Sequence, residues 1–186
     1  MRDTTEKEFK FEIPAEQLEA VQAELQAQGA EGLDLRATYL DTPDASLAAA
    51  GLVLRLRQEG NGWIQTAKAS GSNAFERLEH NAYLGAPEEK PQPDIGRHDG
   101  TPVGGLIRKA LNGTEAELQP TFSTQIRRVR KTERHWNSEI EIALDVGQVV
   151  APPKDGAEGA SSPVRELELE LVNGNVAELA AVAKQW

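Results

Sequence analysis

The stretch RELELELV, residues 165–172, most constrains what this chain can become. In an extended chain successive side chains point to opposite faces. Glu166, Glu168 and Glu170 then share one face, and Leu167, Leu169 and Leu171 share the other. Three further segments repeat the pattern. VLRLRQE sets Arg55 and Arg57 against Leu54 and Leu56. SEIEIALD sets Glu139, Glu141 and Asp145 against Ile140, Ile142 and Leu144. RLEHNAYL puts Arg77 and Glu79 on one face, and TEKEFKF, near the start, puts Glu6, Glu8 and Lys10 on one face.

A half-buried sheet with a solvated polar face explains any one of these strands. It explains the set less well, because one face is all acid and another all arginine. Carboxylates at i and i+2 stand about 7 Å apart. At an effective dielectric near 20, each such pair repels by about 2 kcal/mol. A divalent cation relieves clustered carboxylates, and a polyphosphate relieves clustered Arg and Lys. The two kinds of strand together describe a container for a metal–polyphosphate complex. A closed barrel with a charged interior and an apolar exterior, jacketed by helices, presents both.

The remaining punctuation supports that architecture. Residues 5–13 read as a strand ending at Pro14. Leu18, Val21 and Leu25 then recur at helical spacing up to Gly29. ATYLD reads as a short strand. TPDASLAAAG reads as a short helix with Thr42 as N-cap, Pro43 at its first position and Gly51 after it. VLRLRQE, GNG and WIQTAKAS form a hairpin, followed by the strand ERLEHNAYL. Residues 85–100 are a Pro/Gly-rich loop, and PVGGLIRKALNG is a short helix weakened by its glycines. A long strand covers 119–135 and pairs with SEIEIALD. APPKDGAEGASSP reads as surface loop, and VAELAAVAKQW as a closing helix. The expected class is α+β in a single domain over 1–186: about eight strands, mostly antiparallel, and about four helices.

Composition narrows the chemistry. The chain has no cysteine, which excludes disulfides, thiolate metal sites and cysteine nucleophiles. His80, His98 and His135 show no ligand spacing and read as surface or strand residues. Any metal is therefore expected on oxygen ligands, which favours Mg²⁺, Mn²⁺ or Ca²⁺ over zinc. The formal net charge of −10 argues against DNA as a partner. No apolar run is long enough for a membrane span or a signal peptide, so a cytoplasmic protein is the simplest reading. Trp63 and Trp136 read as packing residues.

TEKEFKF resembles the ExExK signature of the CYTH superfamily, the triphosphate tunnel metalloenzymes. YLDTPDASLAAAGLVLRLRQEGNGWIQTAKAS resembles the family segment in which a YxDTPD box leads to an RxR strand and a T-x-K strand. RLEH, FSTQIRR, IEIALDVG and RELELELVNG continue the match in order over nearly the whole chain. Its character is closest to the bacterial inorganic triphosphatases. The resemblance implies an eight-stranded antiparallel barrel forming a tunnel, with Mg²⁺ or Mn²⁺ as cofactor. In that branch a helical CHAD domain often follows in a longer form.

The resemblance further implies hydrolysis of inorganic triphosphate (tripolyphosphate) to pyrophosphate and phosphate. Lys10, Arg55, Arg57, Lys68, Arg77, Arg128 and Arg130 are expected to bind the phosphates. Strand parity in IRRVR leaves Arg127 competing with Arg128, since a bulge would exchange them; Arg130 shares the parity of Arg128. Glu6, Glu8, Asp145, Glu168 and Glu170 are the expected metal ligands, with Glu6, Glu8 and Lys10 central to catalysis. Glu79, Glu141 and Glu166 are expected to support them. The alternatives are thiamine triphosphatase or class IV adenylate cyclase activity, or a non-catalytic polyphosphate-binding module. The first two need a pocket for an organic ring, and the sequence offers no clear one.

Overall fold

The structure, a computed structural model, describes residues 4–70, 76–113, 117–153 and 159–186; of Thr4, Thr5, Glu76 and Arg77 only the backbone is described. In chain order come β1 (Thr4–Glu12), α1 (Leu18–Ala27), β2 (Glu31–Asp41), α2 (Ser46–Ala49), β3 (Leu52–Glu59), β4 (Gly62–Ser70) and β5 (Glu76–Tyr83). Then follow α3 (Pro102–Ala110), β6 (Gln119–His135), β7 (Ser138–Ala151), β8 (Ala160–Asn173) and α4 (Val176–Ala183). The strands close into a barrel in the order β1-β5-β4-β3-β2-β6-β7-β8, every pair antiparallel. No described helix is long and apolar enough to cross a membrane.

The hydrophobic core lies outside this barrel, in two clusters. Ile140, Ile142 and Leu144 of β7 and Leu167 and Leu169 of β8 turn outward and pack with Leu25 of α1 and Leu179 and Val182 of α4. Leu52, Leu54 and Leu56 of β3 pack outward with Leu47 of α2 and Val103 and Ile107 of α3. Each such leucine or isoleucine contributes about 1.5–3 kcal/mol by leaving water. The period-2 pattern thus puts the apolar parity under helices and turns the charged parity inward.

Local chemistry sets the ends of the elements. Pro14 follows β1, and Gly29, at φ +78°, follows α1. Asn175 caps α4 by accepting from Ala177 N–H. The helix expected directly after Thr42 begins only at Ser46, and Thr42 is not its N-cap. Asp41 takes over instead: its carboxylate accepts from the N–H groups of Thr42 (2.7 Å), Leu47 (2.9 Å) and Ala48 (3.0 Å). Thr42 Oγ1 accepts from Ser46 N–H at 2.9 Å. In α3, Gly104 is a contact rather than a weakness, because a Cβ there would lie 1.9 Å from the His98 carbonyl oxygen.

Three strands run beyond their expected bounds. β2 starts at Glu31 rather than near Ala37, and β7 continues to Ala151. β8 begins at Ala160, inside the segment expected as surface loop. Pairing carries them: Val150 sits opposite Ser123 and Ser161, and Pro163 opposite Gln148. Pro163 is tolerated because β1 pairs with β8 only from Glu166 onward, so the other side of β8 is an edge there.

Candidate active site

The barrel encloses a cavity of about 850 Å³. Glu6, Glu8 and Lys10 of β1 line it, as do Arg55 and Arg57 of β3, Lys68 of β4 and Glu79 of β5. Arg128 and Arg130 of β6, Glu141 and Asp145 of β7, and Glu166, Glu168 and Glu170 of β8 complete the charged lining. Six strands distant in sequence thereby bring their charged parity together with that of β1. Arg127 points out of the barrel to an exposed Asp34 at 3.1 Å, so Arg128 is the inward residue of the two. Arg77 is in register with Glu6, but its side chain lies outside the described residues.

The charges form three groups. Arg128 forks onto Asp145 (Nε–Oδ1 2.7 Å, Nη2–Oδ2 2.6 Å) and reaches Glu168 Oε2 at 2.5 Å. Lys10 Nζ meets Glu168 Oε1 at 2.5 Å and Glu166 Oε2 at 3.4 Å. Burial pushes the Glu168 carboxyl up, but Arg128 and Lys10 outweigh it and hold the group at about 2. Burial also opposes the charges on Lys10 and Arg128, and the neighbouring carboxylates raise both above their ordinary values. Asp145, expected as a metal ligand, has its two oxygens on Arg128, as a bidentate pair requires.

In the second group Lys68 Nζ lies between Glu6 (2.7 Å) and Glu79 (2.6 Å). Burial pushes Glu6 up to about 7, against the pull of Lys68. The neighbouring Glu79 carboxylate adds to the proton affinity of Glu6. Glu79 is brought down to about 2 despite burial, by Lys68 and by hydrogen bonds that include one from Asn81.

The third group is a row of like charges. Glu8 of β1 faces Glu170 of β8, which faces Glu141 of β7, each pair directly opposite in the strand register. Like charges placed directly opposite destabilise a sheet. Burial, Glu141 and Glu79 raise the proton affinity of Glu170. Across the cavity Arg55 Nε and Arg57 Nε are buried with no hydrogen-bond partner among the described residues. Burial and the neighbouring Arg55 lower the Arg57 pKa. Arg130 Nη1 reaches Glu141 at 3.2 Å and Arg57 Nη2 pairs with Glu59, while the Nε–H groups of Arg55 and Arg57 are left unbonded.

The interior is not charged all round, as the strand patterns suggested. Leu33, Leu35, Ala37 and Tyr39 of β2 also line the cavity, with Phe122 and Ile126 of β6. Tyr39 and Phe122 stack at 4.2 Å between centroids. Sequence reasoning missed this arc because it takes only ATYLD as strand, which leaves the alternation of Leu33 and Leu35 with Asp34 and Arg36 unread. It also missed Asn81, Thr66 and Glu59, whose only sequence signal was an inward parity shared with Glu79, Lys68 and Arg57.

The histidines, expected as surface or strand residues, divide. His80 and His98 are buried outside the barrel, their Nδ1 atoms 2.9 Å apart. Gln65 Oε1 accepts from Asp94 N–H, and its Nε2 donates to Asp94 O and to His98 Nε2. His98 therefore protonates on Nδ1 and donates to His80. Burial and His80 push His98 down to about 4. The pair ties the segment carrying His98 to β4 and β5. Trp63 packs against the outer cluster, whereas Trp136 is 80% exposed in the β6–β7 turn and packs little.

The model of the CYTH domain family matches residues 4–186. The chain belongs to the CYTH family. It is 32% identical over 155 residues to an inorganic triphosphatase of Haemophilus influenzae, an alignment taking in 80% of this chain and 39% of that protein. The chain therefore spans well under half the length of the curated relative it matches. The CYTH fold recurs in a candidate adenylate cyclase of Bacillus halodurans (TM-score 0.62, 16% identity, 97% of this chain and 87% of that one). It recurs also in a candidate adenylyl cyclase of Hippeastrum whose dominant activity is as a triphosphatase (TM-score 0.60, 14% identity, 97% and 85%). The eight-stranded barrel with flanking helices is the form of this family.

Proposed function

We propose that this CYTH domain hydrolyses inorganic triphosphate to pyrophosphate and phosphate, with Mg²⁺ or Mn²⁺ bound. The observation that carries the reading is the opposition of the Glu8–Glu170–Glu141 row to the buried, unbonded Nε–H groups of Arg55 and Arg57. The described lining holds nine carboxylates against six basic side chains. A bare polyanion is repelled by that balance, whereas a metal–polyphosphate complex is drawn in. The relative named an inorganic triphosphatase supports the same substrate.

The donor set fits a hard divalent cation, since it is all carboxylate. Among the described residues no three such side chains already converge as a ligand group. Glu8, Glu170 and Glu141, with Glu6, would hold the ion; Glu168 and Asp145 would serve Arg128 and Lys10. A bound divalent ion would neutralise phosphate oxygens and lower the pKa of a water.

The chain's own contribution is positioning and charge. Arg55 and Arg57 each have a buried N–H to offer a phosphate oxygen. Arg128, made rigid by Asp145 and Glu168, presents its remaining donors at a fixed place. Water forms a bond to the terminal phosphorus as the bridging P–O bond breaks, and pyrophosphate leaves with that oxygen. Phosphoryl transfer asks for little covalent chemistry from the protein, so such a site needs no Ser, Cys or His nucleophile.

One observation favours a second reading. The Tyr39–Phe122 stack lies beside Arg55 in the strand register and could face an organic ring carried on a triphosphate. Phosphate release from tripolyphosphate, ATP, thiamine triphosphate and long polyphosphate, each with Mg²⁺ or Mn²⁺, decides between them. Turnover of tripolyphosphate above the others supports the first reading. Preference for an organic triphosphate supports the second. Tight polyphosphate binding without turnover of any substrate overturns both in favour of a binding module.

A further inference from the structure

We infer that Thr66 and Asn81 are positioning residues for Lys68, holding its ammonium at the cavity wall for a phosphate; this rests on the triphosphatase reading. Thr66 Oγ1 donates to Asn81 Oδ1 at 2.6 Å. Asn81 Nδ2 donates to Glu79 Oε1 at 2.5 Å. The other Glu79 oxygen lies 2.6 Å from Lys68 Nζ, which also donates to Glu6 at 2.7 Å.

The chain has one direction. The Glu79 carboxylate only accepts, so Asn81 turns its amide nitrogen to Glu79 and its carbonyl oxygen to Thr66, whose hydroxyl donates and holds the amide in that orientation. The amide nitrogen occupies one Glu79 oxygen and leaves the other for Lys68. Without it, Glu79 is free to rotate, and Lys68 falls back onto Glu6, away from a phosphate. Thr66 is fully buried and does not line the cavity, so it touches no substrate and acts only through Asn81. Asn81 does line the cavity. The two lie directly opposite each other on β4 and β5, as Lys68 and Glu79 do, which makes the chain a property of the register.

The test compares Thr66→Val, which keeps the shape and removes the hydroxyl, with Thr66→Ser, which keeps the hydroxyl. Thr66→Val is expected to raise the KM for tripolyphosphate about tenfold with kcat changed less than about twofold, as loss of one hydrogen bond to a charged network predicts. Thr66→Ser restores the wild-type KM. Asn81→Ala, at a site open to the cavity and needing no repacking, gives the same rise if Thr66→Val does not fold. The double variant adds nothing further, because both residues act through one chain.

A merely structural role lowers the melting temperature and the active fraction, and so kcat, at unchanged KM; that outcome overturns the inference. So does additivity of the two variants. If the wild type turns over no triphosphate, the function reading fails, and calorimetric affinity for tripolyphosphate takes the place of KM. Weaker binding by Thr66→Val than by wild type then still supports positioning. Equal binding, or none by wild type, overturns it.

Discussion

Two arcs of the same cavity wall obey opposite rules. On β3, β7 and β8 the leucines and isoleucines face out, as Phe9 does on β1, and the charges face in. On β2 the order is reversed: Leu33, Leu35, Ala37 and Tyr39 face in, while Asp34 and Arg36 are exposed outside beside Arg127. The difference follows from what covers the barrel. α1 and α4 pack over the β7–β8–β1 side, and α2 and α3 over the β3–β4–β5 side. The middle of β2 meets water, so its apolar parity turns inward. A charged interior is therefore affordable only where helices supply the outer core.

The comparison predicts separable effects. The largest falls on the charged arc. Glu170→Gln removes a carboxylate from the like-charged row and is expected to cut kcat/KM for tripolyphosphate by about a thousandfold, the scale of losing a key electrostatic contact. The same variant should melt no lower than wild type, since its repulsion with Glu8 and Glu141 is relieved. Arg55→Ala is expected to lose about a hundredfold, mainly in KM, as a charge-assisted contact to phosphate goes. Activity in Glu170→Gln equal to wild type would break the contrast between the arcs.

The apolar arc should respond the other way. Tyr39→Ala leaves the Phe122 face unpacked and is expected to destabilise by about 3 kcal/mol in urea denaturation. Its activity on tripolyphosphate should change less than about threefold, against a large loss if the ring stacks on substrate. Leu169→Ala, in the outer core, should likewise cost about 2–5 kcal/mol with little effect on turnover per folded molecule.

The smallest effect lies outside both arcs. His98 titrates at about 4 when folded, against an ordinary 6.5. Over that window the unfolded chain binds a proton that the folded chain does not, so stability falls as pH drops from 6.5 toward 4. The groups facing His98 are His80, Gln65, Asp94 and Asp99. His98→Gln should flatten the pH dependence of the melting temperature in that range; an unchanged slope would assign it to other groups.

Much of this was legible in the sequence because parity is a local property. RELELELV, VLRLRQE and SEIEIALD each state which residues share a face, and the structure turns those faces inward together. What parity cannot state is which strand stands beside which. The bidentate hold of Arg128 on Asp145 depends on β6–β7 register, so Asp145 read as a ligand rather than as an arginine partner. Glu141 gained its place in the acidic row from the same kind of information. Arg127 and Arg128 could be told apart only once β6 was seen to run without a bulge between them. The β2 arc was missed because its polarity reports on helix coverage, and the His80–His98 pair because its partners are 18 residues apart.

The central claim is that this cavity takes triphosphate as a metal complex. Calorimetric titration of tripolyphosphate into the protein, with Mn²⁺ and then with chelator, tests it most directly. The balance of nine carboxylates to six basic groups predicts binding with Mn²⁺ and at least about a hundredfold weaker binding without it. Equal affinity in the presence of chelator would contradict the account.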